Sequence, residues 1–280
     1  MDDPLKRALL CLLLAIGLPL RAADLDERPL VRLQNQAGAD LLNQALDGQT
    51  LWAGASVDRY KGRLYDEIRL RSLDKGYITY ISGEADRDFE PHVVADTVFK
   101  HQHRLPNVED GAKAVVRLGS GTDAATGRPY VDTWWMLDLT LFYGTYAQRM
   151  YQVEDSNGRI VSYFEKLDLS RLPAATAASY QAKIDATAAK IEKRWPPFDG
   201  VQEISEIYGM FVVEPGSVRT ARVSFVARLS FAEGTGVLAR LGSEMPPVLK
   251  AGLQSGFISC VQIASQEQAK LDRVKTSTAL

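Results

Sequence analysis

Between Ala221 and Phe231 the chain alternates without a break. Ala221, Val223, Phe225, Ala227, Leu229 and Phe231 take every second position, with Arg222, Ser224, Val226, Arg228 and Ser230 between them. Successive side chains of a strand point to opposite faces. The segment therefore reads as a strand with one apolar face and one charged or hydroxylic face left to solvent. The apolar face needs a cover, and the end of the chain offers one. After Pro246-Pro247, Leu249, Leu253, Phe257, Val261 and Ala264 recur at helical spacing, in a helix that runs to about residue 270. Gly252, Gly256 and Cys260 lie close to that stripe. A glycine inside a helix costs about 1 kcal/mol relative to alanine. Two of them, four apart, read either as close backbone approach or as room kept for a ligand between helix and sheet.

Upstream, the pattern predicts a short helix around Leu41, Leu42 and Ala45 that ends at Gly48, a strand over 63–72, and another over 77–82. A helix opens at Pro91 with Val93, Val94, Ala95, Val98 and Phe99 on its apolar face, and a short helix or turn surrounds Leu105-Pro106. Strands follow at 112–118, 130–142, 145–153, 159–166 and 206–213. Turns are read at 74–76, 119–121, 126–129, 155–158 and 214–217. An alanine-rich amphipathic helix with Tyr180, Ile184, Ala188, Ile191 and Trp195 interrupts the strands and stops at Pro196-Pro197. Strands are not alternated with helices in parallel units, which argues against a dinucleotide-binding fold. The reading is α+β, an antiparallel sheet covered by one long final helix.

Two blocks of sequence carry a resemblance. The first is Tyr77-Ile-Thr-Tyr-Ile-Ser-Gly-Glu-Ala-Asp86, then Phe89-Glu90-Pro91-His92-Val-Val, Leu105-Pro106-Asn-Val108 and Ala114-Val-Val-Arg-Leu118. The second is Tyr208-Gly-Met-Phe-Val-Val-Glu-Pro-Gly-Ser217, the strand up to Phe231, and the helix after Met245-Pro-Pro. In this order, over roughly residues 77–270, the chain resembles a START-like, helix-grip domain of the superfamily that includes polyketide cyclases. The resemblance implies a curved antiparallel sheet gripping the last helix around a cavity, and a lipid, sterol, quinone or other apolar ligand. It departs from the pattern at Arg104, where the family often has Trp, and at Met150, where many members follow Arg with Asp. Functions tied to those two residues are therefore not implied. The helix near 174–195 reads as an insertion.

The resulting division is a leader over 1–22, an extension with the first strands over 23–76, the START-like domain over 77–272 with an insertion at about 170–197, and a tail over 273–280. The leader reading rests on Lys6 and Arg7 before the apolar run 8–20 and on the small residues Ala22 and Ala23. That run is shorter than the roughly 20 residues of a membrane span, which favours a cleaved leader over the alternative of an uncleaved anchor. Removing the leader takes away three positive and two negative charges, so the net charge goes from −2 to −3. An acidic balance argues against a nucleic-acid partner. Of the two cysteines, Cys11 and Cys260, only Cys260 lies beyond the leader, so no intrachain disulfide is expected in the mature protein. The expected location is periplasmic or secreted.

Alternation and helical spacing give the candidate lining of the space between sheet and helix: Trp135, Leu137 and Leu139 from one strand, Val223, Phe225 and Leu229 from another, and Leu249, Leu253 and Phe257 from the helix. Trp134 and Trp135 are neighbours on a strand and point to opposite faces, and the odd face is the more apolar. Arg149, on a strand beside apolar residues, is the candidate contact for a ligand head group. His92, His101 and His103 are read as solvated loop residues, and no metal site or cofactor is expected. No serine lies in a nucleophile signature, and the pairs Gly119/Gly121 and Gly234/Gly236 are too short for a phosphate loop. The sequence thus points to an exported binding or carrier protein for an apolar small molecule, without catalytic machinery. Transient contact with a membrane or envelope protein is its accessory partner. The alternatives are a cyclase- or hydrolase-type enzyme on the same scaffold and an assembly module acting on another envelope protein. The inserted helix reads either as packing outside the sheet or as a lid.

Overall fold

The computed structural model describes residues 36–57, 63–73, 76–85, 89–107, 112–138, 142–154, 158–191, 200–215, 221–231 and 246–278. In chain order these form α1 (Gln36–Leu46), β1 (Gln49–Val57), β2 (Arg63–Leu73), β3 (Gly76–Ala85), α2 (Pro91–Lys100), a 3-10 helix (Gln102–Asn107), β4 (Ala112–Thr122) and β5 (Pro129–Asp138). Then come β6 (Tyr143–Glu154), β7 (Ile160–Lys166), α3 (Ala174–Ala188), β8 (Val201–Pro215), β9 (Ala221–Phe231) and α4 (Pro246–Thr278). The described strands make one nine-stranded sheet in the order β1-β2-β3-β9-β8-β7-β6-β5-β4. Neighbours in that order are antiparallel. One short parallel contact, Tyr143–Thr145 of β6 beside Val201–Glu203 of β8, forms where β8 runs past the end of β7. The helix-grip arrangement expected from the sequence is present.

Both faces of the sheet are covered. The inner face meets α2 and α4. Tyr77, Val131, Met150, Phe164, Ala227 and Leu229 share a core with Val98 and Phe99 of α2, and Leu253 and Cys260 of α4 pack against it. An adjoining core joins Ile81, Ile160, Val213 and Val223 to Val93 and Val94 of α2 and Ala264 of α4. The outer face is covered in two places. Leu41 and Ala45 of α1 lie over Ile78, Tyr163 and Val226. Tyr180 and Ile184 of α3 lie over Leu118, Trp134 and Ala147. Val226 and Ser230, expected on a solvated face, are therefore buried. Arg69 and Arg71 of β2 donate to the last-turn carbonyls of Leu46 and Gln44, where a helix has unpaired acceptors that favour cations.

Three local readings change. β1 was not foreseen, because its Gly54, Ala55 and Ser56 give no apolar alternation. Gly119–Gly121 is not a turn but lies inside β4. The turn comes at Asp123, whose carboxylate accepts from the N–H groups of Ala125 and Thr126. The inserted helix α3 sits on the outer face, the side away from α4, so it does not cover the space between α4 and the sheet. Its position sets aside the lid reading.

The second half of α4 is fastened by charge. Arg104 of the 3-10 helix donates to Glu267 and Gln266, and Lys270 donates to Glu267 at 2.7 Å. At the start of α2, the Glu90 N–H donates to Gln268 at 3.1 Å and the Glu90 carboxylate accepts from Lys275. Lys270, then Arg104, holds the Glu267 carboxyl below the usual glutamate range, and Lys275 does the same for Glu90. A carboxyl whose pKa is lower in the folded state contributes stability above its unfolded value, and that contribution is lost as the pH falls through the folded value. Thermal melts followed by circular dichroism should show the melting temperature dropping between about pH 5 and about pH 3. Glu267→Gln should flatten that drop and leave a lower plateau at neutral pH. A variant profile parallel to the wild type would remove Glu267 from the latch.

Candidate functional site

The inner face of β5, β6, β8 and β9, opposite α4, is rich in aromatic and aliphatic side chains. Trp135 stacks on Tyr146 with ring centroids 6.2 Å apart and planes 3° from parallel. Phe225 stacks on Phe164 at 5.9 Å and meets Phe211 at 4.5 Å. Trp135, Leu137, Phe211, Phe225 and Leu253 pack against the core yet remain only partly buried. Of the residues singled out in the sequence, Trp135, Leu137, Phe225, Leu229 and Leu253 thus come together in one cluster. Val223 lies in the adjoining core, which shares Phe225 and Leu253 with the first. Leu139 lies outside the described residues. Leu249 and Phe257 are on the α4 backbone, but their side chains are also outside the described set.

Arg149 does not join them. Along β6, Tyr146, Gln148, Met150 and Gln152 face inward, which turns Arg149 outward beneath α3. There its Nε and Nη2 donate to the two oxygens of Asp132 at 2.7 and 2.8 Å, and its guanidinium lies 4.1 Å from the centre of the Tyr130 ring. Asp132 is fully buried and also accepts from the Tyr180 hydroxyl at 2.9 Å. The paired carboxylate holds the Arg149 pKa above its ordinary value. Burial, followed by the Asp132 charge, raises that of the Tyr180 hydroxyl. A buried ion pair is retained when its remaining hydrogen-bonding positions are filled. Tyr180 fills one of them and thereby ties α3 to the sheet. A Cβ on Gly119 would fall 2.1 Å from the Tyr180 oxygen, so glycine at that position leaves room for the hydroxyl.

The sequence reading missed the inner polar groups. Gln102, Thr133 and Gln148 are buried, and Thr133 of β5 and Gln148 of β6 both donate to the Gln102 side-chain oxygen at the start of the 3-10 helix. The Trp135 indole N–H joins them by donating to Thr133 at 3.0 Å. Gln152 donates to the Ala95 carbonyl and to Ser162. Strand parity carried the signal, since Gln148 and Gln152 fall in step with Tyr146 and Met150. Beside this cluster the rings of His101 and His103 lie 6.3 Å apart. Partial burial lowers the pKa of both, and the charge of Arg104 adds to the effect. Among the described residues, no three His, Cys, Asp or Glu side chains gather as metal ligands would. Among them, too, no helix is long and apolar enough to cross a membrane.

No family model matches the chain, and no curated protein matches it. The search of solved structures returns START lipid-transfer and aromatase/cyclase proteins. The chain is similar to a STAR-related lipid transfer protein from Xanthomonas axonopodis, at 12% identity over 73% of this chain and 96% of that one, with a TM-score of 0.43. It is similar to human STARD10 at 6% identity over 85% of each chain, with a TM-score of 0.48. It is also similar to the Zhui aromatase/cyclase from Streptomyces sp. R1128, at 11% identity over 68% of this chain and 93% of that one, with a TM-score of 0.38. At these values no ligand or activity passes from those proteins to this chain.

The α3 attachment is testable. Tyr180→Phe should cost about 1–3 kcal/mol in urea unfolding, because it removes a hydrogen bond from a buried carboxylate. Gly119→Ala acts on the same hydroxyl, so the double variant should be less destabilised than the sum of the two singles. Full additivity would show that residue 119 and Tyr180 do not interact.

Proposed function

We propose that this chain is an exported binding and carrier protein for an apolar small molecule of the lipid, sterol or quinone-like class. The observation that carries this reading is the state of the inner face. Trp135, Leu137, Phe211, Phe225 and Leu253 sit between sheet and helix, where a filled core would bury them, and they keep accessible surface. Ligand sites for such molecules are mostly apolar, with a few polar groups that set orientation. The Gln102–Thr133–Gln148 cluster supplies groups of that kind. On the outer face, a hollow beside α1, lined by Leu42, Tyr80, Met210 and Val212 among others, has a volume of about 30 Å³, room for little more than water.

The energetics suffice without catalysis. Each buried methylene contributes about 0.8 kcal/mol. A chain of ~14 methylenes therefore contributes on the order of 11 kcal/mol before ordering costs are subtracted. The enzyme alternative needs titratable groups converging on the ligand. The inward residues of β5 from Val131 to Leu137 and of β6 from Tyr146 to Gln152 offer amides and hydroxyls rather than carboxylates or imidazoles, which favours the carrier. Export, with transient contact to a membrane or envelope protein for loading, rests on the leader read at residues 1–22.

Protein purified from its native compartment and extracted with organic solvent should release a lipid in stoichiometric amount by mass spectrometry. Preparations that are repeatedly free of lipid and also fail to bind lipid probes would end the carrier reading. The exported form should weigh less than the full chain by the mass of about the first 22 residues; a full-length mass would argue against cleavage.

A further inference from the structure

The polar cluster on the inner face has a fixed direction. Gln102 is only 4% exposed, Thr133 2% and Gln148 3%. The Gln102 amide nitrogen donates to the Val98 carbonyl and to the Met150 sulfur, so its oxygen must accept. That oxygen receives the Thr133 hydroxyl at 3.2 Å and the Gln148 amide nitrogen at 3.3 Å. Thr133 in turn accepts from Trp135. The chain of donors thus sets the orientation of Gln148 without reference to any ligand. Among the described residues, nothing meets the Gln148 carbonyl oxygen or its second N–H. Among the described residues the one sealed side-chain nitrogen or oxygen without a hydrogen-bond partner is Arg228 Nε, so the unpaired Gln148 oxygen keeps some accessible surface, and the partner still missing from this amide has to come from the space beside it.

We infer that the missing partner is the head of the bound molecule, and that this head is an uncharged group carrying a hydroxyl. The inference rests on the carrier reading and narrows its ligand class. An amide oxygen beside an amide N–H complements a hydroxyl, which both donates and accepts. An ether or ester oxygen can only accept and would leave the Gln148 carbonyl unpaired. Charge is disfavoured as well. The inward positions of β5 from Val131 to Leu137, and of β6 from Tyr146 to Gln152, include no charged residue. The nearby pair Arg149 and Asp132 is on the other face and already joined. Arg104 of the 3-10 helix is likewise already joined to Glu267, and partial burial disfavours the charged form of His101, so a phosphate, carboxylate or ammonium head would meet no ready counter-charge, at a large desolvation cost.

Displacement of a pyrene-labelled long-chain alcohol from the full chain tests this, with tetradecanol, its methyl ether and myristate as competitors. The alcohol should compete at concentrations at least about tenfold lower than the ether or the acid, because a site built to bond a hydroxyl rejects the analogue without one. Gln148→Met keeps the side-chain volume and removes the amide. It should bring alcohol and ether to within about twofold of each other and leave the ether's own competition unchanged. Equal competition by alcohol and ether in the wild type overturns the inference whether or not the variant folds. So does an alcohol preference that survives in Gln148→Met. Both of those results leave the carrier reading intact. Failure of the probe and all three competitors to bind removes the carrier reading, and this inference with it.

Discussion

The ladder between β3 and β9 holds the molecule together. It joins Gly76–Glu84 to Ser230–Arg222, residues roughly 140–155 positions apart in the chain. Without it the sheet would separate into β1–β3 and β4–β9, and α4 would have no continuous surface to grip. The ladder is specified with care. A Cβ on Gly76 would lie 1.9 Å from the Leu229 carbonyl oxygen, so glycine lets β3 begin flush against β9. Ser224 and Ser82 bond across the pair at 3.1 Å. The alternation of β9 fixes the register, since a slip of one residue would turn Phe225, Ala227 and Leu229 to the outer face. So long-range a pairing forms only after the intervening strands have been brought together, and a slow folding step of this kind is characteristic of non-local sheets.

Periodicity made part of this legible in advance. β9, β3, the apolar face of α2 and the stripe on α4 show themselves because each buries one side against a partner. β1 does not, because its Gly54, Ala55 and Ser56 contribute backbone pairing and little side-chain contrast. Gly119 and Gly121 imitate a turn for a different reason: glycine at 119 answers a steric demand from Tyr180, more than sixty residues away, which no local window contains. The outer face of β9 looked solvated because most of its side chains are arginines and serines, yet α1 covers Val226, and Ser230 is buried beside β8, where its hydroxyl donates to Glu206. Whether a mixed face is covered depends on which helix returns to it, and that is a property of topology.

The candidate site shows the same division. Its apolar members from β5, β9 and α4 followed from alternation and helical spacing. Its polar members did not, because a charged residue on a strand stands out in a sequence as a head-group contact and a glutamine does not. Arg149 stood out by charge, but its parity on β6 matches Ala147 and Tyr151, which face outward. Gln148 shares the parity of Tyr146 and Met150, which face inward. The step from one residue to the next along a strand separates the ion pair that anchors α3 from the amides that face α2 and the 3-10 helix.

That separation has a physical logic. A buried ion pair is tolerable where its geometry is permanent, because desolvation is then offset by contacts that never open. Asp132, Arg149 and Tyr180 meet that condition beneath a helix fixed to the sheet. On the inner face, in the carrier reading, the partner of the Gln148 carbonyl would change whenever a ligand enters or leaves, and a charge there would stand unpaired for part of the cycle. Neutral amides and hydroxyls lose far less in the empty state. The same reasoning applies to Trp135, Phe211 and Phe225, whose accessible surface carries a hydrophobic cost of roughly 25 cal/mol per Å² until something covers it. In the carrier reading, occupancy therefore completes the core, and the stability of the fold rises with ligand concentration, as linkage requires.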